Sequence, residues 1–123
     1  MGKAAPDLMI DASLDYVAAS SIMHVCSAEP ANYAGIAAVS LADVAMTPVT
    51  DFTKANGDTS GRKVTVAAKS GFAVDVSGTG THIVLAKVSD TTLRFVTTCT
   101  SQVLTAGNTV NTPAWKDEIA DPV

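Results

Sequence analysis

The stretch that decides the fold runs from residue 62 to residue 100: RKVTVAAKSGFAVDVSGTGTHIVLAKVSDTTLRFVTTCT. Side chains alternate here with a period of two. In Arg62–Ala68, Val64 and Val66 share one face while Lys63 and Thr65 share the other, as expected for a half-buried strand. Ser70-Gly71 then turns the chain into a strand over 72–76, with Phe72, Val74 and Val76 on one side. Gly78-Thr79-Gly80 leads into a strand over 81–88, and Ser89-Asp90-Thr91-Thr92 makes a hairpin into a strand over 93–100. The more apolar alternate set of these strands, Val64, Val66, Val74, Val76, Ile83, Leu85, Leu93 and Phe95, is the expected core.

Outward from this block the same pattern continues. Asn56-Gly57-Asp58-Thr59-Ser60-Gly61 reads as a tight turn on the N-terminal side. Ala106-Gly107-Asn108 is a turn on the C-terminal side, leading to a last strand pair near 109–111 and 114–119. Ser21–Ser27 reads as a strand closed by Glu29-Pro30 and the turn 32–35. Residues 36–53 mix alanines with Val39, Leu41 and Val44 without a clean period, and Pro48 interrupts them; a short strand over 39–43 is the reading taken. The first segment alone has a helical period. Ile10, Leu14, Val17 and Ala18 form one stripe over residues 7–19, Asp7 can cap it, and Asp7, Asp11 and Asp15 share another face, read as solvated. The expectation is one domain over 1–123: a helix (7–19) followed by a mainly β, antiparallel sandwich (20–123) of jelly-roll or Greek-key-like type.

Composition limits the function. The 123 residues are 47% hydrophobic and 16% charged, with a net charge of −4. Nucleic acids and anionic membranes are bound through clustered Lys and Arg, so neither is an expected partner. No apolar run reaches the length of a membrane span, and Asp7, Asp11 and Asp15 follow too soon after Lys3 for a signal peptide. Synthesis in a cytoplasm is expected.

Four constellations were weighed for chemistry. His24 and Cys26 stand at i, i+2 on one strand and, with His82 and Cys99, supply the two nitrogens and two sulfurs of a tetrahedral zinc site, but without the short spacings that such sites use. Packing cysteines are the preferred reading over zinc or a Cys26–Cys99 disulfide. A nucleophile elbow is absent. Asn56, Asp58 and Ser60 imitate the start of a calcium loop, yet Ala67 stands where its bidentate Glu belongs. Gly78-Thr79-Gly80 does not extend into a nucleotide-binding pattern. No enzyme activity, cofactor or metal is therefore expected. Leu8, Met9, Trp115 and Ile119, apolar groups near the chain ends, are the candidate contact residues, with Trp115 alternatively a core anchor.

Several phrases taken together resemble a known family: Leu14-Asp15-Tyr16-Val17-Ala18-Ala19, His24-Val25-Cys26-Ser27-Ala28-Glu29-Pro30, Asp51-Phe52-Thr53-Lys54, Gly57-Asp58-Thr59-Ser60-Gly61-Arg62-Lys63, Ser77-Gly78-Thr79-Gly80-Thr81-His82, Val96-Thr97-Thr98-Cys99-Thr100, Pro113-Ala114-Trp115 and Glu118-Ile119-Ala120-Asp121-Pro122. Their order along nearly the whole chain is similar to that of small proteins from the structural-gene regions of tailed bacteriophages and prophages. The resemblance implies a non-enzymatic virion structural protein made in the bacterial host cytoplasm. A capsid decoration (cement) or minor head protein that binds the major capsid protein lattice, and that can itself oligomerise, fits it best. A head-tail connector or tail component, and a glycan-binding adhesion module on the virion surface, are the alternatives.

Overall fold

A computed structural model of the chain describes residues 7–119. The chain is mainly β with antiparallel sheets. Its elements are α1 (Asp7–Ala18), β1 (Ile22–Cys26), a 3-10 turn (Tyr33–Gly35) running into the short α2 (Ile36–Val39), β2 (Ser40–Ala45), β3 (Phe52–Asn56), β4 (Arg62–Val66), β5 (Lys69–Ala73), β6 (Gly78–Lys87), β7 (Thr92–Leu104), β8 (Thr109–Thr112) and β9 (Trp115–Ile119). A four-stranded sheet has the order β2-β1-β6-β7, a three-stranded sheet the order β3-β4-β9, and β5 pairs with β8. Among the described residues no helix is long and apolar enough to cross a membrane.

One hydrophobic cluster joins all of these layers. Ile10, Leu14 and Val17 of α1 meet Met23 and Val25 of β1, Phe52 of β3, Val64 and Val66 of β4, Phe72 of β5, and Ile83 and Leu85 of β6, all buried. Burial of this apolar surface is the main force holding the sandwich-like arrangement together. The opposite face of the four-stranded sheet is also covered. Cys26, Val84 and Ala86 pack there beneath Ile36 of α2, so β6 loses its alternation and is a continuous buried apolar run over Ile83–Ala86.

The helix stripe Ile10, Leu14, Val17 and Ala18 is buried as its period requires. On its acidic face Asp15 is exposed, as expected of a solvated residue, but both Asp11 and Asp15 are tied to strands. Arg62 donates from Nε and Nη2 to the two carboxylate oxygens of Asp11 at 2.9 and 3.3 Å, and Lys54 lies 2.6 Å from Asp15. Tyr16 adds a third anchor: the Arg94 guanidinium sits 3.9 Å over its ring and donates to its carbonyl at 3.0 Å. The helix is thus fixed to β3, β4 and β7 by a buried stripe bordered by charge. Asp7 and Leu8 have side chains outside the described residues.

Hydrogen bonds from Arg62 hold the Asp11 carboxyl below its ordinary value of 3.8. A carboxyl depressed on folding contributes stability above its unfolded value and loses it as pH falls through the folded one. Asp11→Asn is therefore expected to lower the melting temperature at pH 7, and the gap to the parent protein should close below about pH 4. A gap that does not begin to narrow as pH falls below 4 would show that the Asp11–Arg62 pair is not the source.

The β expectations hold for β1, β4, β6, β7 and β9 with shifted ends. Four details are corrected. Val76 is 53% exposed because β5 ends at Ala73 and the backbone N–H groups of Asp75 and Val76 both turn to the Leu41 carbonyl, which takes Val76 off the strand period. Gly71, expected to be the turn before this strand, lies within it at φ +68, where the register with β8 slips. Leu93 does not share a face with Phe95: Phe95 opposes Leu85 while Leu93 opposes Ala86, so Arg94 is an extra residue and Leu93 falls into the second cluster. The segments 109–111 and 114–119 pair not with each other but with β5 and β4. In addition, the turn expected at 32–35 continues as α2, and β3 lies where no strand was expected.

Val49 occupies the left-handed region at φ 67, a costly conformation for a β-branched residue. Its N–H reaches the carbonyl of Ala18 at 2.9 Å, which satisfies a backbone group left over at the end of α1. Asp51 braces the same loop, accepting from the Thr47 N–H at 2.6 Å and pairing with Lys69 at 3.0 Å.

Candidate functional site

The second half of β7 breaks register. Thr98 opposes His82 and Gln102 opposes Gly80, so Cys99, Thr100 and Ser101 stand against the single residue Thr81. Such a bulge bends an edge strand and re-aims its side chains. Here it forms one wall of a cleft of about 480 Å³ whose other walls come from β8 and the start of β9. Val25, Ile83, Leu104 and Val110 line the apolar part; Thr98, Thr100, Gln102 and Asn111 contribute polar groups. Gly80 keeps the cleft open at its base, since a Cβ there would come within 2.8 Å of Val25 Cγ1.

Two of the lining residues each hold a buried polar atom with no hydrogen-bond partner among the described residues: Thr112 Oγ1 and Trp115 Nε1. Thr112 is only 8% exposed. A buried polar group left unpaired costs about 1–3 kcal/mol. Trp115 is half-buried against the main core and stacks on Phe95, with ring centroids 5.7 Å apart and planes 21° from parallel.

Lys116 is the one charged residue in the lining of the cleft. No Asp, Glu, Lys or Arg falls between Arg94 and Lys116, and the Lys116 ammonium is held by the Asp58 carboxylate. Both flanking strands are sheet edges: β7 closes the four-stranded sheet and β9 the three-stranded one, so neither has a second strand partner among the described residues. The other edge of the large sheet, β2, is covered by the bridge from Ala42 to Val74 and by the N–H groups held on Leu41.

Of the four contact residues expected from the sequence, the structure brings only Trp115 to this cleft. Met9 is 59% exposed on α1, Ile119 packs half-buried against the core at the far end of β9, and the side chain of Leu8 is outside the described residues. The residues missed were Thr112 and the β7 bulge. The charge-free run between Arg94 and Lys116 was the sequence signal that could have found them.

The proposed zinc ligands do not converge. Cys26 lies in the cluster beneath α2, while Cys99 packs against the main core on the opposite face of the sheet. The same separation keeps the two thiols from forming a disulfide, and both are free. Among the described residues no group of three metal-binding side chains forms. His24 is hydrogen-bonded through Nδ1 to Ser40 Oγ at 2.8 Å, and burial lowers its pKa against the opposing pull of Asp43. The calcium-like turn is likewise occupied by its own cations. Asn56 accepts from Arg62, and Asp58 pairs with Lys63 and Lys116.

Burial pushes the Cys26 thiol up to about 11 and raises that of Cys99. Because the thiolate is the reactive form, a thiol reagent is expected to label only Cys99 in the native protein, slowly, and Cys26 only after unfolding. Chelator should leave the melting temperature unchanged. Equal labelling rates would show that Cys26 is not enclosed beneath α2.

In comparisons with known proteins, no family model, no curated sequence and no solved structure matches the chain.

Proposed function

We propose that the chain is a non-enzymatic structural protein of a tailed-bacteriophage virion, a capsid decoration or minor head protein that docks on the major capsid protein lattice. The family resemblance of the residue phrases supports this reading, and one feature of the geometry carries it. Most of the charges within those phrases that the structure describes are held in internal ties: Asp15 on Lys54, Arg62 on Asp11, and Asp58 on Lys63 and Lys116. Beside them lie two sheet edges with a cleft between, in which Lys116, itself held by Asp58, is the one charged lining residue. A frame locked internally and open along one side is suited to rigid docking, which needs little ordering on binding. Specific affinity then comes from shape and hydrogen bonding and not from long-range attraction.

Quantitative mass spectrometry of purified virions from the strain that encodes the chain tests this. Copies in the hundreds per particle are expected for a decoration protein. A dozen or fewer would move the chain to the connector or tail, and absence from the virion would overturn the reading.

A further inference from the structure

We propose that β9 is a self-pairing edge gated by a proton: two copies of the chain join β9 to β9, antiparallel and centred on Asp117, when the two Asp117 carboxyls share a proton. They separate when both carboxyls are ionised. The pairing makes one continuous sheet of two β3-β4-β9 sheets. The inference rests on the register of β9 and not on the virion reading above.

The inner face holds the gate. β9 pairs with β4 without a break in register, so Trp115, Asp117 and Ile119 stand opposite Val66, Val64 and Arg62. Val64 and Val66 are buried and Trp115 and Ile119 pack on the main core, so this alternate set faces inward. Asp117 is the one acid in it. It is partly buried, no hydrogen bond or ion pair reaches its carboxylate among the described residues, and burial raises the carboxyl above its ordinary 3.8. The inner cations beside it are already tied: Arg62 to Asp11 and Lys54, in the same row beyond Val64, to Asp15 of α1. On the β7 side the titratable group packed on the core is Cys99, itself raised by burial. An inward-pointing charge keeps an edge strand from pairing while it stays ionised.

The outer face names the occupant. Lys116 and Glu118 lie there, with Lys63 opposite Glu118; both lysines pair with Asp58, and Lys116 Nζ is 4.0 Å from Glu118. In a two-fold pairing about Asp117, Lys116 of each copy stands opposite Glu118 of the other, Trp115 stands opposite Ile119, and the whole strand Trp115–Ile119 is matched. Centring on Lys116 or on Glu118 instead would oppose like charges on the outer face and match fewer residues. The Asp117 register has a single like pair, Asp117 with Asp117, and two carboxylates brought together at a partly buried site cannot both stay ionised. One shared proton replaces their repulsion with a hydrogen bond. Pairing therefore takes up a proton, so association strengthens as pH falls, by up to about tenfold per pH unit.

Sedimentation velocity of the full chain reads the gate. A monomer is expected at about pH 7.5, with a dimer growing in as pH falls toward about 5. The chain also nears its isoelectric point of about 4.8 there, so variants at pH 7.5 separate the edge from a general loss of net charge. Asp117→Asn removes the inner charge and should dimerise already at pH 7.5, with amide hydrogen exchange slowed at residues 115–119 and unchanged along β7. Adding Lys116→Glu to that variant sets acid against Glu118 and should abolish the dimer. Adding Glu118→Lys as well restores opposite charges and should bring the dimer back. A parent chain whose association is the same at both pH values overturns the proposal without recourse to any variant. So does a folded Asp117→Asn chain that stays monomeric, or a dimer that Lys116→Glu leaves intact.

Discussion

Leu85→Ala is expected to lower the free energy of unfolding by about 2–5 kcal/mol, the range for deleting a large aliphatic side chain from a closed core. Leu85 is 0% exposed and lies in the C-terminal half of β6, with Met23 beside it on β1 and Phe95 on β7. The helix stripe and the inner residues of β4 belong to the same cluster. Collapse around the missing methyl groups would have to move two paired strands, whose backbone hydrogen bonds resist it, so much of the cavity should persist. Urea denaturation followed by circular dichroism reads the effect as a lower midpoint with an unchanged slope. A loss under about 1 kcal/mol would mean that the inward face of β6 is not the one described. Phe95→Ala should cost less than a closed-core aromatic truncation, because Phe95 is only partly buried.

The period-two reading of residues 62–100 found Leu85 because Val64 and Val66 of β4, and Ile83 and Leu85 of β6, stand two apart on the face that meets the main core. It failed where a strand gains a residue. The bulge at Arg94 flips Leu93 to the opposite face, and the one at 99–101 opens the cleft; neither leaves a mark in apolar alternation, since a bulge is set by pairing between distant segments. β3 was hidden for a different reason. Thr53-Lys54-Ala55 carries no apolar alternation of its own, and the strand exists because Phe52 is buried and β4 offers it an edge. The acidic stripe of α1 was visible, but its partners Arg62 and Lys54 lie far along the chain, so sequence spacing could show the charges and not what they meet. The two orphan atoms of the cleft are likewise tertiary facts: Thr112 and Trp115 flank Pro113-Ala114 as an ordinary strand connection until β7 is laid beside them.

Trp115→Ala should also be strongly destabilising, by about 2–4 kcal/mol, somewhat under the range for a fully buried aromatic because part of the ring is accessible. The indole packs against the main core, stacks on Phe95 and stands opposite Val66 at the start of β9, so its loss loosens the junction between the two larger sheets. Trp115→Phe separates that packing role from contact with a partner. The phenyl ring keeps most of the buried surface while removing Nε1–H, a donor that has no partner among the described residues. Removing an unpaired buried donor relieves a penalty of about 1–3 kcal/mol, which offsets part of the area lost on shrinking the ring. Stability of the Phe variant should therefore lie within about 1 kcal/mol of the parent. If the indole N–H also meets a partner carbonyl, the same variant should sediment less with emptied capsids although it is fully folded. Full sedimentation by Trp115→Phe would confine Trp115 to the core, and an Ala variant as stable as the parent would remove it from the core. The pair of measurements assigns the residue because packing responds to ring volume and recognition responds to the single proton on nitrogen.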